Sequence, residues 1–184
     1  MPADPVYPTR LGLQGIATWF AAAATEVQAA GVQRRGLQRR SRRHVALGEW
    51  AQRRGYVREA DRAAWRERSV NFFADHSVDL LLTPALAGPP PAAAGWSGRS
   101  WLANMKANIR YAPYAAPWNI AGLPAIVVPV GRRPDGLPVA VQFVGPPGSE
   151  LLLLGVAGQF EMQAPWQRHA PGYPRVGTGS PAHA

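Results

Sequence analysis

Apolar positions in the first 76 residues recur at helical spacing, and those that follow change to shorter runs. Residues 1 to 10 are Pro-rich and read as extended. Leu11 to Ala30 then carries helix formers almost without interruption until Gly31, so a first helix is predicted there. A second helical pattern runs from Val32 to Ala51, lightly broken by Gly36 and Gly48. From Tyr56 to His76 a third sets Val57, Ala60 and Ala64 on one stripe, with Trp65 and Phe72 on a neighbouring one. Asp79-Leu-Leu-Leu-Thr83 is different: a short apolar run stopped by Pro84, which suits a buried strand.

Ala85 to Arg99 is a Pro/Gly/Ala-rich loop, Trp101 to Tyr111 a short helix, and Pro113 to Ala121 another, ended by Gly122 with Pro124 just beyond. Ala125 to Val130 and Leu137 to Val144 are β-branched runs joined by Gly-Arg-Arg-Pro-Asp-Gly, in which proline presets φ and glycine accepts φ > 0, and together they predict a β-hairpin. Pro129 and Pro138 each remove a ladder donor and belong at an edge, a bulge or a strand end. Ser149 stands where it can N-cap a helix from Glu150 to Gln163, with Leu151, Leu154 and Phe160 among its packing residues. Pro165 ends that helix, the chain after Trp166 reads as irregular, and residues 175–184 read as a disordered tail.

Composition narrows the class. The 184 residues suit one domain; 47% are hydrophobic and only 17% charged, too apolar for a disordered polymer, while 19 Gly and 19 Pro argue against a long helical bundle. Cysteine is absent, which excludes a disulfide scaffold, a thiolate zinc site and a cysteine nucleophile. The longest uncharged apolar runs, from Ile120 to Val130 and from Leu151 to Gly158, fall short of the roughly 18 residues of a bilayer span. Ile16 to Ala24 imitates the core of a signal peptide, but Asp4, Pro5 and Pro8 precede it where positive charge is needed. The chain is read as cytoplasmic.

Candidate chemistry is sparse. The serines at 41, 69, 77, 97, 100, 149 and 180 include no adjacent pair, and Ser97 in Gly95-Trp-Ser-Gly98 lacks the glycine two positions on that a nucleophile elbow needs. The histidines at 44, 76, 169 and 183 have no zinc spacing, and His44, beside Arg42 and Arg43, sits where positive neighbours disfavour both its protonated form and a bound cation. Asp75 and Asp79 lie four apart, but the start of a strand between them breaks any shared helical face. No metal and no cofactor are expected, since the glycines show no phosphate-binding spacing either. With 20 Lys+Arg against 11 Asp+Glu the net charge is +9, and 12 arginines fall between Arg34 and Arg68. Such a run can attract phosphate backbones. It is equally the composition of a solvated helix, and three arginine pairs from Arg34 to Arg43 wind around a helix rather than line one face.

Four blocks stand in order: Asp79-Leu-Leu-Leu-Thr-Pro84; Ala116-Pro-Trp-Asn-Ile-Ala-Gly-Leu-Pro-Ala-Ile-Val-Val-Pro129; Gly136-Leu-Pro-Val-Ala-Val-Gln-Phe-Val-Gly145; and Glu150 to Glu161 followed by Pro165-Trp166. Together they resemble the C-terminal half of an amidase signature family enzyme, over at least residues 55 to 174, and Asp4-Pro-Val-Tyr-Pro8 with the helices after it resembles the middle of such enzymes. The fold class expected is α/β: the C-terminal part of a mixed β-sheet core flanked by α-helices, with a mainly helical N-terminal segment. Residues 1–174 form one partial domain, 1–76 helical and 77–174 a core of strand, hairpin and helix. Ala125 to Val130, apolar on successive residues, is expected to be buried on both sheet faces.

The resemblance also implies a chemistry. In that family a serine attacks the amide carbonyl, a second serine on a cis peptide relays its proton, a lysine is the base, and backbone N–H groups of a Gly/Ser-rich loop hold the oxyanion. This chain has no Gly-Gly-Ser-Ser, and its one lysine, Lys106, lies in Asn-Met-Lys-Ala-Asn without matching context. No catalytic residue is therefore carried over, Met1 falls partway through the family's usual domain, and the chain alone is expected to be inactive. Trp118 and Asn119 are candidate substrate-pocket residues. The partners implied are a small amide in the complete enzyme and a missing N-terminal amidase half or a second copy, not a membrane. Two other classes stay open: a non-catalytic binding or scaffold module built from half a hydrolase fold, and an arginine-rich nucleic-acid binder. The unpaired strands are expected to make an isolated chain aggregate or take a partner.

Overall fold

A computed structural model describes residues 5–93 and 95–166 of the chain. The predicted tail at 175–184 and the residues from 167 onward lie outside the described residues. Leu11–Ala29 forms helix α1, Arg39–Arg53 α2 and Glu59–Asp75 α3; then come strand β1 (Leu81–Pro84), helices α4 (Trp101–Tyr111) and α5 (Ala116–Ala121), strands β2 (Ala125–Arg132) and β3 (Pro138–Val144), and helix α6 (Glu150–Gln163).

The second helix starts later than its residues suggest. Gln33, Leu37 and Gln38 are extended, Arg34–Gly36 makes a single 3-10 turn, and α2 begins at Arg39. Packing decides this, because α2 must lie against α1. Phe20, Ala21 and Ala24 of α1 meet Val45, Gly48 and Ala51 of α2 in a buried seam. A Cβ on Gly48 would stand 2.0 Å from the backbone oxygen of Phe20, so glycine sets how close the helices come. Helix α3 stops at Ser77, a non-glycine residue at φ 51, through bonds from Ser77 N–H to Ala74 and Val78 N–H to Phe73.

The three described strands form one antiparallel sheet in the order β1-β3-β2. Val144 pairs with Leu81 on one side and Ala125 on the other. The hairpin β2–β3 forms as its turn residues predict, Pro129 borders an irregularity of register at Gly131, and Pro138 is the first residue of β3. One core cluster fastens the sheet to the helices: Trp65, Phe72 and Phe73 of α3, Trp118, Ile120 and Ala121 of α5, and Leu11, Leu123 and Val144.

Two expectations about burial are corrected. β2 is an edge strand with Val127 54% exposed, and on β1, the other edge, Leu82 is 59% exposed; the described helices cover only part of either face. Of the α6 residues expected to pack, Phe160 sits 5.6 Å from Phe143 between ring centroids, but Leu151 and Leu154 are 83% and 60% exposed while Leu153 is buried. A helix apolar on every side leaves its periodicity unable to select an inward face. The Ser149 hydroxyl does not cap α6 either. It is buried without a protein partner, packed into the space where Gly145 lacks a side chain.

Two outcomes follow from this packing. Gly48→Ala gains about 1 kcal/mol of helix propensity, yet its methyl meets backbone that cannot rotate away, and overpacking of about 1–3 kcal/mol or more wins; a net loss of stability is expected in chemical denaturation. Leu151→Glu with Leu154→Glu reduces self-association in sedimentation velocity and leaves the melting temperature within about 2 °C, since neither side chain packs in the fold.

Candidate functional site

Helix α5 has six residues, too few to be stable alone, and its C-terminal carbonyls need donors. Helix α3 provides them. Arg62 Nε donates to the Ile120 carbonyl at 3.0 Å, Arg66 Nη1 to those of Ala121 and Gly122 at 2.7 Å each, and Trp65 Nε1 to that of Pro117 at 2.8 Å. Two guanidinium charges thus sit at the negative end of the helix dipole. Gly122 closes the helix in the left-handed conformation, φ 64, as its position predicts, with bonds from Gly122 N–H to Asn119 and from Leu123 N–H to Trp118. On the entry side, Gln142 Nε2 of β3 donates to the Tyr114 carbonyl at 3.2 Å and to Thr83 Oγ1 at 3.0 Å. The segment from Tyr114 to Gly122 is held at both ends.

The two candidate pocket residues lie on this segment. Trp118 is 1% exposed, its ring 6.1 Å from that of Trp65 and 6.2 Å from that of Tyr7. It anchors α5 to α3. Asn119, its neighbour, is exposed. A third face of α5, carrying Ala116, Pro117 and Ile120, forms one wall of an apolar recess of about 430 Å³. The opposite wall is α1, through Leu11, Gly12, Gly15, Ile16 and Trp19, and the end of α4 contributes Asn108 and Ile109. At the floor the helices nearly touch, since a Cβ on Gly15 would be 2.8 Å from Ile120 Cδ1. No lining residue is charged; Asn108 brings the one carboxamide. The recess can hold an apolar group. It offers no nucleophile and no base.

Sequence reasoning missed this recess. Gly12, Gly15, Ile16 and Trp19 recur on one face of α1, but that spacing reads as ordinary helix, and the facing wall lies about a hundred positions along the chain. The loop at Gly95 to Trp101 is pinned rather than open: Arg40 Nη2 donates to the Ser97 and Arg99 carbonyls at 2.5 Å each, and the Arg99 guanidinium lies 4.2 Å over the Trp96 ring. Ser100 Oγ caps α4 by accepting from Ala103 N–H.

The arginine run is largely structural. Besides Arg40, Arg62 and Arg66, Arg34 and Arg53 pair with Glu49, Arg58 bonds the Gly55 carbonyl, and Arg68 that of Val6. Most of these contacts go to backbone oxygens, a task for which a planar guanidinium with five donors is better shaped than an ammonium. His44 sits behind the recess, 5.2, 5.1 and 5.4 Å from the rings of Trp19, Phe20 and Trp101, and its Nε2 is buried without a protein partner. Desolvation by burial holds its pKa below the ordinary 6.5. The direction matches the sequence expectation, but the cause is burial among aromatic rings, not the neighbouring arginines.

Comparison with known proteins points one way. The Amidase family model matches residues 17–154. The candidate amidase AmiB2 of Mycobacterium tuberculosis is 31% identical over 169 residues, 91% of this chain and 36% of that protein. The A-type chain of a Synechococcus glutamyl-tRNA(Gln) amidotransferase is 40% identical over 128 residues, 66% of this chain and 25% of the relative. Among solved structures, 6-aminohexanoate cyclic dimer hydrolase superposes over 92% of this chain and 39% of its own, with a TM-score of 0.66 at 24% identity, a likeness of fold. The chain thus spans about a third of the length of the curated relatives it matches. No helix among the described residues is long and apolar enough to cross a membrane.

His44 makes the α1–α2 seam sensitive to acid. Its folded pKa lies below its unfolded value, so its contribution to stability is constant above about pH 6.5 and falls below it, as the unfolded chain takes up a proton that the folded chain resists. His44→Phe keeps an aromatic ring in the cluster and removes this drop: the difference in melting temperature between pH 7.5 and pH 5 is expected to be smaller in the variant.

Proposed function

The chain belongs to the amidase family, and from that premise we propose that it is the C-terminal segment of an amide hydrolase, shaping a substrate recess while the attacking serine and its base come from outside these 184 residues. The observation that carries the reading is the recess itself. α4, α5 and Trp19 of α1 lie within the family-matched residues, and together with Leu11, Gly12, Gly15 and Ile16 just before them they enclose a ligand-sized space whose lining has no hydroxyl, carboxylate, imidazole or amine to attack a carbonyl. A fastened wall without a nucleophile is what one part of a divided site provides.

Residues 1–174 count in this reading as one partial amidase domain. Trp118 takes part by anchoring α5, and Asn119, exposed beside it and outside the recess lining, contacts the part of the substrate that extends beyond the recess. The complete enzyme adds water across the carbon–nitrogen bond of a small carboxylic amide in the cytoplasm, with an N-terminal amidase half or a second copy as the polypeptide partner. The amidotransferase relative is by its name one component of a larger enzyme, which supports such a partner.

Sequencing the DNA upstream of the Met1 codon tests the proposal. A lysine followed by a Gly/Ser-rich segment with paired serines is expected, in frame or one frameshift away. The chain expressed together with that segment is expected to release amine from neutral amides, and the 184 residues alone none above buffer. Upstream DNA without that pattern, or amide hydrolysis by the purified chain alone, overturns it.

A further inference from the structure

We propose that the outward face of α2 binds single-stranded nucleic acid: its arginines meet the phosphates, and a stacked tryptophan and tyrosine form the platform on which a base lies. The face is turned away from α1 and the recess, and the inference is independent of the hydrolase reading.

The late start of α2 sorts the arginine run. Arg34 and Arg35 stand on the 3-10 turn before the helix, and Arg40 is taken by the Ser97 and Arg99 carbonyls. Arg39, Arg42, Arg43, Ala46, Trp50 and Arg53 then follow at spacings of three and four, which is one face of a helix, opposite the seam of Val45, Gly48 and Ala51. The arginines that remain on α2 thus line a face instead of winding around it. Arg39, Arg42 and Arg43 are exposed, as is Arg54 at the far end, and their guanidinium groups make no hydrogen bond or ion pair among the described residues. Glu49, the one acid of α2, is already engaged by Arg34 and Arg53.

Folding does not account for these residues. Arg39, Arg42 and Arg43 stand near the N-terminus of α2, where the helix dipole opposes positive charge. Trp50 is 45% exposed in the middle of the charged stripe. Its one ring partner is Tyr56, which the end of the helix delivers: Gly55 takes φ 67, its N–H bonds the Gln52 carbonyl, and Tyr56 N–H reaches back to that of Ala51. The two rings stack with centroids 5.1 Å and planes 26° apart, and both stay open to solvent. Helical rise puts about 22 Å between Arg39 and Arg54, room for several nucleotides with the aromatic pair near one end. An acidic protein surface would match the arginines alone, whereas a single strand matches both features, since its phosphates carry the negative charge and its unpaired bases offer flat faces to a ring.

Fluorescence anisotropy of a labelled oligouridylate of about 20 nucleotides, titrated with the full chain, tests the assignment. Four phosphate contacts give a slope of log affinity on log salt of about −3, so affinity is expected to fall about fiftyfold between about 50 and 200 mM salt. Replacing Arg39, Arg42 and Arg43 together by alanine is expected to flatten that slope to about −1. Trp50→Ala is expected to weaken binding about fivefold or more and to leave the slope unchanged, because stacking releases no counterions. These side chains lie outside the packed seam, so both variants are expected to melt within about 2 °C of the parent. No binding at low salt, a slope that survives loss of the three arginines, or unchanged affinity in Trp50→Ala overturns the proposal. Equally tight binding of poly-L-glutamate also overturns it and assigns the face to an acidic protein. Turnover is not read, so neither result bears on the hydrolase reading.

Discussion

Helix α5 cannot close its own C-terminus, and the side chains that close it come from α3. Trp65, Arg62 and Arg66 donate to carbonyls from Pro117 to Gly122. Three of these bonds are part-buried and the one to the Gly122 carbonyl is exposed, so each contributes about 1 kcal/mol, toward the low end for hydrogen bonds from charged groups. Several such terms together exceed anything a six-residue helix gains from propensity. The clasp holds α5 in place, and α5 in turn sets Trp118 in the core and Ile120 between the core and the recess, with Leu123 following it into the same core cluster.

The recess is a by-product of that placement and of small residues on α1 and α2. Gly15 admits Ile120, Gly48 admits the backbone of Phe20, and the two glycines let α1 lie close to α5 on one side and α2 on the other. Close packing at those points fixes the Trp19 indole between Phe20 and His44. An apolar wall thus arises largely from contacts behind the recess, those of Phe20 and His44 with Trp19.

The opposite end of the molecule is unfinished by the same standard. β1 and β2 are both edges of a three-stranded sheet, and α6 shows leucine to solvent where a helix of a finished core shows charge. Arginine takes a partly reverse course: Arg40, Arg58, Arg62, Arg66 and Arg68 are engaged by carbonyls and Arg34 and Arg53 by Glu49, while Arg35, Arg39, Arg42, Arg43 and Arg54 are exposed. The exposed leucines and open strand edges lie in a chain that spans about a third of the length of the curated relatives it matches.

Local chemistry made much of the fold legible. Gly31 and Gly122 mark helix ends because a left-handed residue needs no Cβ, Pro134-Asp-Gly136 marks a hairpin because its φ angles are preset, and the order of the four blocks carries the family. The late start of α2, the exposed leucines of α6 and the idle hydroxyl of Ser149 were not legible, since each depends on a neighbour: α1, the sheet face and Gly145. The candidate site divides in the same way. Trp118 and Asn119 could be singled out from their motif, but adjacent residues of a helix point in different directions, and only α3 decides that Trp118 faces inward while Pro117 and Ile120 face the recess. The sequence by itself determined the elements and the family, because those follow from short-range φ preferences and apolar spacing. Tertiary structure alone decided the recess, because its walls are separated by about a hundred residues and become neighbours only when arginines and a tryptophan of α3 hold α5 in place.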